Sequence, residues 1–142
     1  MIDGINRYVF LDTNIVSKSI RKPSVILERR MEREWAGGTR YLLSVIVVHE
    51  LERSVLGSEN PAVARERLNA FMNGISGVAA FEPEDAKISA SIHQEMETQG
   101  VIIGVFDILI AAQALRKNLP VVTNNTRHFS RIGGLLCEDW TL

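Results

Sequence analysis

Three acidic residues of this sequence stand where its pattern predicts buried, apolar side chains. Asp12 directly follows the apolar run of residues 8–11, and Glu50 lies on the apolar stripe of a predicted helix, 45–56. Asp107 opens another, mostly apolar segment. Burying a lone carboxylate is costly unless a partner or a metal ion neutralises it. Three such groups at the edges of core elements therefore predict one shared acidic pocket, the environment that a hard cation such as Mg²⁺ needs.

Each of the three acids also has an ordinary structural explanation. Asp12 could cap the helix that follows it, and Asp107 could be a first-turn acid that the helix dipole favours. Glu50 could form a buried ion pair with an arginine. However, helical spacing places it on one face with Val47 and Leu51, which favours a role in a site. Considered together, the three acids favour a functional site over three separate structural roles.

The chemistry that such a pocket supports is metal-assisted hydrolysis of a phosphodiester. A bound Mg²⁺ or Mn²⁺ ion polarises a phosphoryl oxygen and lowers the pKa of bound water. One ion held by three acids is compatible with this sequence, and so is a pair of ions about 3.5–4 Å apart. Because the same carboxylates would repel a phosphodiester in the absence of metal, we expect strictly metal-dependent catalysis.

The composition is that of a globular domain with one core. The 142 residues are 46% hydrophobic and 23% charged, and the formal net charge is −1. This charge excludes a globally basic nucleic-acid binder but not local basic patches. Cys137 is the single cysteine, so neither a disulfide framework nor a cysteine-rich zinc site is expected, and a reducing cytoplasm fits. No apolar run approaches the roughly 20 residues that span a bilayer, so we expect no membrane association.

Alternating strand-like and helix-like segments predict an α/β sandwich with a mainly parallel sheet. Short β-rich runs lie at residues 8–11, 41–43, 78–81, 120–123 and 135–137. Helical patterns lie between them, at residues 15–20, 23–35, 45–56, 62–72, 83–99 and 107–117. Ligands of such sheets bind outside the carboxyl ends of the strands. Asp12 and the pair Asn124 and Asn125 stand at the ends of predicted strands, which places them at that edge.

Four stretches of the chain carry these polar residues, and together they resemble one known family. They are Phe-Leu-Asp-Thr-Asn at residues 10–14, Leu-Ser-Val-Ile-Val-Val-His-Glu-Leu at 43–51, Gly-Val-Phe-Asp-Ile-Leu-Ile-Ala-Ala at 104–112 and Val-Thr-Asn-Asn-Thr-Arg-His-Phe at 122–129. In this order, and with the ending at 135–140, they are similar to PIN-domain ribonucleases, specifically the VapC-type toxins of bacterial toxin–antitoxin systems. The resemblance implies a PIN-like α/β/α sandwich, with residues 1–142 forming a single PIN domain.

The resemblance implies that Asp12, Glu50 and Asp107 bind the metal and take part in catalysis. In much of the family a fourth acid stands two residues after the threonine of the late strand, where this chain has Asn125. An amide can orient water or a metal-bound oxygen, so Asn125 stays a candidate catalytic residue, but it adds no negative charge. The choice between one and two metal ions is therefore left open.

Five other residues are implied to contact the substrate or to support the acids. Thr13 and Asn14 help to shape the first loop, while Arg127 suits bidentate binding of a phosphate. The full set is Thr13, Asn14, Thr123, Asn124 and Arg127. Two residues depart from the family pattern, since Phe106 stands where a polar residue is common and His49 where a small one is common. Neither departure removes an acid.

For the whole protein, the resemblance implies the toxin of a type II toxin–antitoxin system. Its activity would be that of an Mg²⁺-dependent endoribonuclease, with tRNA as the expected substrate class and Mn²⁺ as a substitute metal. It also implies a cytoplasmic homodimer that a cognate VapB-type antitoxin inhibits. The pair would bind its promoter DNA through the antitoxin.

Two alternatives to this function stay open. A degenerate PIN domain that only binds other proteins is favoured by Asn125 and opposed by the presence of all three acids. A haloacid-dehalogenase-like phosphatase would use Asp12 as its nucleophile. Such enzymes commonly carry a second acid two residues later, where this chain has Asn14.

Overall fold

The computed structural model describes residues 4–22 and 24–142, and in this part of the chain five strands form one sheet. In chain order they are β1 (Arg7–Leu11), β2 (Thr39–Ser44), β3 (Gly77–Ala79), β4 (Val121–Val122) and β5 (Cys137–Glu138). Their order across the sheet is β3-β2-β1-β4-β5, and each neighbouring pair is parallel. The predicted α/β fold with a mainly parallel sheet is therefore confirmed.

Helices cover both faces of the sheet. They are α1 (Thr13–Arg21), α2 (Val25–Ala36), α3 (Val45–Leu56), α4 (Pro61–Met72), α5 (Pro83–Thr98), α6 (Val105–Lys117) and α7 (Thr126–Phe129). Val9 and Leu11 of β1 pack into one hydrophobic cluster with α1 to α4. Phe10 packs into the other cluster with α5 and α6, because alternate side chains of a strand point to opposite faces. None of the helices in the described residues is long and apolar enough to cross a membrane.

The ends of several elements differ from the sequence prediction. Helix α6 begins at Val105, so Asp107 lies within its first turn and does not open the helix. β3 ends two residues earlier than predicted and β5 begins two residues later, because hydrogen bonding to β2 and β4 sets these ends. The sequence pattern also does not predict the short helix α7. The predicted helix start at Pro23 lies outside the described residues, and α2 is assigned from Val25.

A charged network fastens β5 and α2 to the amino-terminal end of β1. The Arg7 guanidinium donates to Glu34 Oε1 (2.9 Å) and to Glu138 Oε2 (2.5 Å). Burial acts to raise the pKa of Glu34, but hydrogen bonds from Arg7, a threonine and Arg30 outweigh it and hold that pKa at about 2. The indole N–H of the fully buried Trp140 donates to Glu138 (3.1 Å), and the Arg30 guanidinium lies 5.2 Å from the Trp140 ring. These contacts fix residues 137–140 against the sheet.

At the carboxyl edge of the sheet, the buried Gln113 of α6 joins β2 to β3. Its Nε2 donates to the carbonyl oxygens of Ala79 (3.1 Å) and Ala80 (3.0 Å), and the Ser44 hydroxyl donates to its Oε1. Ser44 Oγ also accepts the backbone N–H of Ile46 (2.9 Å), which caps α3. Helices α3 and α6 are therefore anchored at the same edge of the sheet.

Candidate active site

Asp12 lies at the carboxyl end of β1 and caps α1. Its Oδ1 accepts the backbone N–H of Ile15 (2.8 Å), and its Oδ2 accepts the Thr123 hydroxyl (2.5 Å). Burial raises the pKa of Asp12 to about 6, and the negative charges of Asp107 and Glu50 act in the same direction. The Asp12 carboxylate therefore caps α1 and also lies beside the other two acids.

Thr123, at the end of β4, connects that strand to Asp12. It is fully buried, and its Oγ accepts the backbone N–H of Asn125 (2.8 Å) while it donates to Asp12. The Thr123 hydroxyl carries a single proton. Because its oxygen accepts the Asn125 N–H, that proton is donated to the Asp12 carboxylate. The loop that follows β4 therefore orients the carboxylate at the end of β1.

Glu50 is half-buried on α3, on the same helix face as the buried Val47 and Leu51. Its Oε1 accepts a hydrogen bond from the Thr13 hydroxyl (2.7 Å). Among the residues that the structure describes, no arginine or lysine forms an ion pair with Glu50. The alternative explanation of Glu50, a buried ion pair with arginine, therefore receives no support.

Asp107 is half-buried in the first turn of α6, ahead of the buried Ile108. Burial raises the pKa of Asp107, the negative charge of Glu50 adds to that effect, and the nearby His128 opposes it. The charge of Glu50 thus acts on the pKa values of both Asp12 and Asp107. The fold brings these three sequence-predicted acids together from β1, α3 and α6.

The remaining predicted residues surround the acids with different degrees of exposure. Asn14, Asn124 and Arg127 are exposed, and within the described residues none of their side chains is hydrogen-bonded to an acid. Asn125 is half-buried at the start of α7, with its Nδ2 2.9 Å from Nδ1 of His128. The structure therefore places Asn125 beside a histidine that acts on the ionisation of Asp107.

The donor chemistry of these acids fits a hard divalent cation. All three offer carboxylate oxygens, and in the described part of the chain no cationic side chain pairs with them. In this conformation, no three acidic, histidine or cysteine side chains among residues 4–22 and 24–142 are close enough to hold one ion. Within the same residues the Asp107 carboxylate accepts no hydrogen bond, so it has no partner among the described side chains.

Sequence reasoning missed Ser44 and Gln113, which hold the helices of the site in place. Gln113 lies in an otherwise mostly apolar stretch of α6 and is completely buried. This is the same signal that identified the acids, namely a polar side chain in an apolar segment. A neutral amide attracts less attention because it needs hydrogen-bond partners and no counter-charge.

Comparison with known proteins gives these residues a context. The PIN domain family model matches residues 9–135. The tRNA(fMet)-specific endonuclease VapC of Shigella flexneri is 33% identical over 132 residues, covering 92% of this chain and 96% of that protein. Ribonuclease VapC2 of Rickettsia felis is 32% identical over 130 residues, covering 92% and 96%. The crystal structure of VapBC2 from Rickettsia felis bound to a DNA fragment from its promoter aligns with a TM-score of 0.87 and 30% identity, over 95% of this chain and 99% of that one.

Proposed function

This chain belongs to the PIN domain family, and from that premise we propose that it is a VapC-type toxin, an endoribonuclease that hydrolyses RNA phosphodiester bonds. The observation that carries the proposal is the set of carboxylates Asp12, Glu50 and Asp107, whose charges act on one another at the carboxyl edge of the sheet. We extend the proposal to the whole chain, with residues 1–142 as a single PIN domain.

The proposed cofactor is Mg²⁺, with Mn²⁺ as a substitute, held by Asp12, Asp107 and Glu50. When bound, such an ion supplies polarisation of a phosphoryl oxygen and a lower pKa for the attacking water. The protein's own residues hold the carboxylates in place, since Thr123 fixes Asp12 and Thr13 fixes Glu50. We assign Glu50, which lies on α3, to bind the metal or to orient the attacking water.

Neutral and cationic groups beside the acids suit a polyanionic substrate. Asn125 carries an amide where much of the family has an acid, so it orients water or a phosphoryl oxygen without repelling the phosphate. The exposed Arg127 is the proposed phosphate contact, because a guanidinium binds phosphate through two parallel hydrogen bonds. Asn14 and Asn124, also exposed, offer further hydrogen-bond donors to the RNA.

The proposed substrate class is tRNA, because the Shigella relative is named for a tRNA. The proposed partner is a VapB-type antitoxin, because a similar solved structure is a VapBC complex. That complex is bound to promoter DNA, and for this chain we assign DNA binding to the antitoxin. A homodimer and a cytoplasmic location, where tRNA is available, complete the proposal.

The test is cleavage of purified total tRNA by the antitoxin-free protein, in Mg²⁺ or in EDTA. Asp107→Asn and Glu50→Gln each remove one proposed metal ligand, whereas Glu66→Gln removes an exposed charge of α4 as a matched control. Circular dichroism establishes that each variant is folded. The expected result is discrete cleavage by the parent and by Glu66→Gln in Mg²⁺, and none in EDTA or by the other two variants.

Two other results would count against this proposal. Equal cleavage by Asp107→Asn would overturn the assignment of the site. Absence of cleavage by the parent, together with full toxicity of Asp12→Ala in cells, would favour the alternative of a protein-binding module, for which Asn125 is the main argument.

A further inference from the structure

A small pocket opens directly beside the acidic site. It has a volume of about 280 Å³ and is lined by Glu50, Arg53, Ser54 and Phe106. Because Glu50 also belongs to the acidic site, the pocket and that site share a wall. This volume lies just below the range of about 300–1,000 Å³ usual for small-molecule sites, so the pocket suits a group smaller than a typical ligand.

The chemistry of the pocket wall is mixed. Glu50, Arg53 and Ser54 stand at positions i, i+3 and i+4 of α3, so they share one face of the helix. Phe106 comes from α6 and immediately precedes Asp107. A phenyl ring, a guanidinium, a hydroxyl and a carboxylate therefore converge from two helices.

The aromatic wall of the pocket is held in a defined position. Phe106 is half-buried, and its ring meets the ring of His49 edge to face, with centroids 5.5 Å apart and an interplanar angle of 72°. Edge-to-face contacts of this kind stabilise one relative orientation of the two rings. A partner that stacks on Phe106 would therefore meet an already ordered surface.

The cationic wall is available to a ligand. Arg53 is exposed, and within the described residues its guanidinium forms neither a hydrogen bond nor an ion pair. Next to it, Ser54 accepts a hydrogen bond from Arg21 of α1, and these two residues line an adjoining cavity. Arg53 is therefore the cation of the pocket wall that can bind a phosphate.

We propose that this pocket binds the RNA nucleotide next to the scissile phosphate, with its base stacked on Phe106 and its phosphate held by Arg53. Proteins recognise single-stranded RNA largely by stacking unpaired bases on aromatic side chains and by contacting phosphates with arginine. The inference rests on the proposed nuclease function, because the acids beside the pocket define where the scissile phosphate lies. Glu50 lines this pocket together with Phe106, so a base on Phe106 fixes the RNA register relative to that acid.

The test measures binding of a short, fluorescein-labelled, mixed-sequence single-stranded RNA by anisotropy, in an Asp107→Asn background that does not cut it. Phe106→Leu keeps the apolar bulk and loses the aromatic face, so Kd should rise about tenfold, the scale of one base–aromatic stack. Phe106→Tyr should restore the parent affinity. An abasic version of the probe should bind the parent and Phe106→Leu equally.

Arginine variants test the phosphate contact separately. Arg53→Ala should raise Kd and lower the slope of log Kd against log salt by about one. Arg33 of α2 is also exposed, and Arg33→Ala should change neither quantity. Arg53 is exposed, so its replacement leaves the fold intact even if a Phe106 variant is unstable.

The outcomes separate this inference from the proposed function. Unchanged Kd for both Phe106→Leu and Arg53→Ala overturns the inference, and tRNA cleavage by the parent would then leave the nuclease function standing. A change of oligomeric state by light scattering in Phe106→Leu, with no change in RNA affinity, assigns the pocket to contact with a second copy and also overturns it. A parent that neither binds nor cleaves RNA overturns both proposals.

Discussion

Replacement of Asp12 by asparagine should stabilise the metal-free protein at neutral pH. Asp12 is 3% exposed, and burial raises its pKa to about 6 from an ordinary value of 3.8. Because the folded state binds this proton more tightly than the unfolded state does, protonation favours folding. The stability that the protonated carboxyl contributes is complete below pH 3.8 and is lost as the pH rises through about 6.

The size of this effect follows from the two pKa values. One pKa unit corresponds to about 1.4 kcal/mol, so a rise from 3.8 to about 6 corresponds to about 3 kcal/mol. Asparagine carries no charge and keeps an oxygen that can accept the Ile15 N–H, so the helix cap survives. The free energy of unfolding of Asp12→Asn should exceed that of the parent by about 3 kcal/mol at pH 7 and equal it at about pH 4.

The assay is urea unfolding in EDTA at both pH values, followed by tryptophan fluorescence, to which the buried Trp140 contributes. Asp85→Asn is a matched control with the opposite sign. Burial acts to raise the pKa of Asp85, but hydrogen bonds from Arg116 and from the Glu82 backbone outweigh it and lower that pKa. Asp85→Asn should therefore destabilise the protein at neutral pH, and the loss should shrink as the pH falls.

If Asp12→Asn raised the free energy of unfolding equally at both pH values, or lowered it at pH 7, ionisation of the buried Asp12 would not be what destabilises the parent. Mg²⁺ gives a second check. A ligand that binds only the folded state raises the free energy of unfolding. The ion should therefore stabilise the parent and not Asp12→Asn.

Three further perturbations test the surroundings of the site. Thr13→Val removes the hydrogen bond to Glu50 and should lower kcat for tRNA cleavage about tenfold with KM unchanged, whereas an unchanged kcat would exclude a positioning role. Gln113→Leu leaves the buried polar partners of Gln113 unsatisfied and should lower the free energy of unfolding, measured in urea, by about 2 kcal/mol. An unchanged free energy of unfolding would contradict this. Arg7→Met should lower the free energy of unfolding by about 1 kcal/mol at pH 7. Because the pKa of Glu34 is held at about 2, this loss should shrink as the pH falls toward 2, and a loss independent of pH would refute the reasoning.

Elements with their own start and stop signals were predictable from the sequence. The predicted helix 45–56 coincides with α3, because Ser44 caps its start and Gly57 follows its end. The predicted start of α5 at Pro83 is also confirmed. β3 and β5 have three and two residues, too few to carry a periodic pattern, so their ends depend on hydrogen bonds to β2 and β4.

The candidate site was predictable where charge conflicts with an apolar context. Asp12, Glu50 and Asp107 stood out because a buried carboxylate needs compensation, and the structure places all three in one electrostatic neighbourhood. Their roles in metal binding and catalysis stay predictions. The pocket beside Phe106 carried no such signal, because an aromatic residue in an apolar helix is ordinary until a second helix brings Arg53 next to it.

The sequence by itself determined the fold class and the three acids, because side-chain periodicity and polarity are local properties of a chain, and the resemblance of its four motifs indicated the family. Only the tertiary structure decided which hydroxyl orients which carboxylate, Thr123 for Asp12 and Thr13 for Glu50. It also decided that the pKa of Asp12 rises. The physical reason is that burial, hydrogen-bond partners and charge separations arise from the parallel pairing of β1, β2 and β4, which joins residues far apart in the chain.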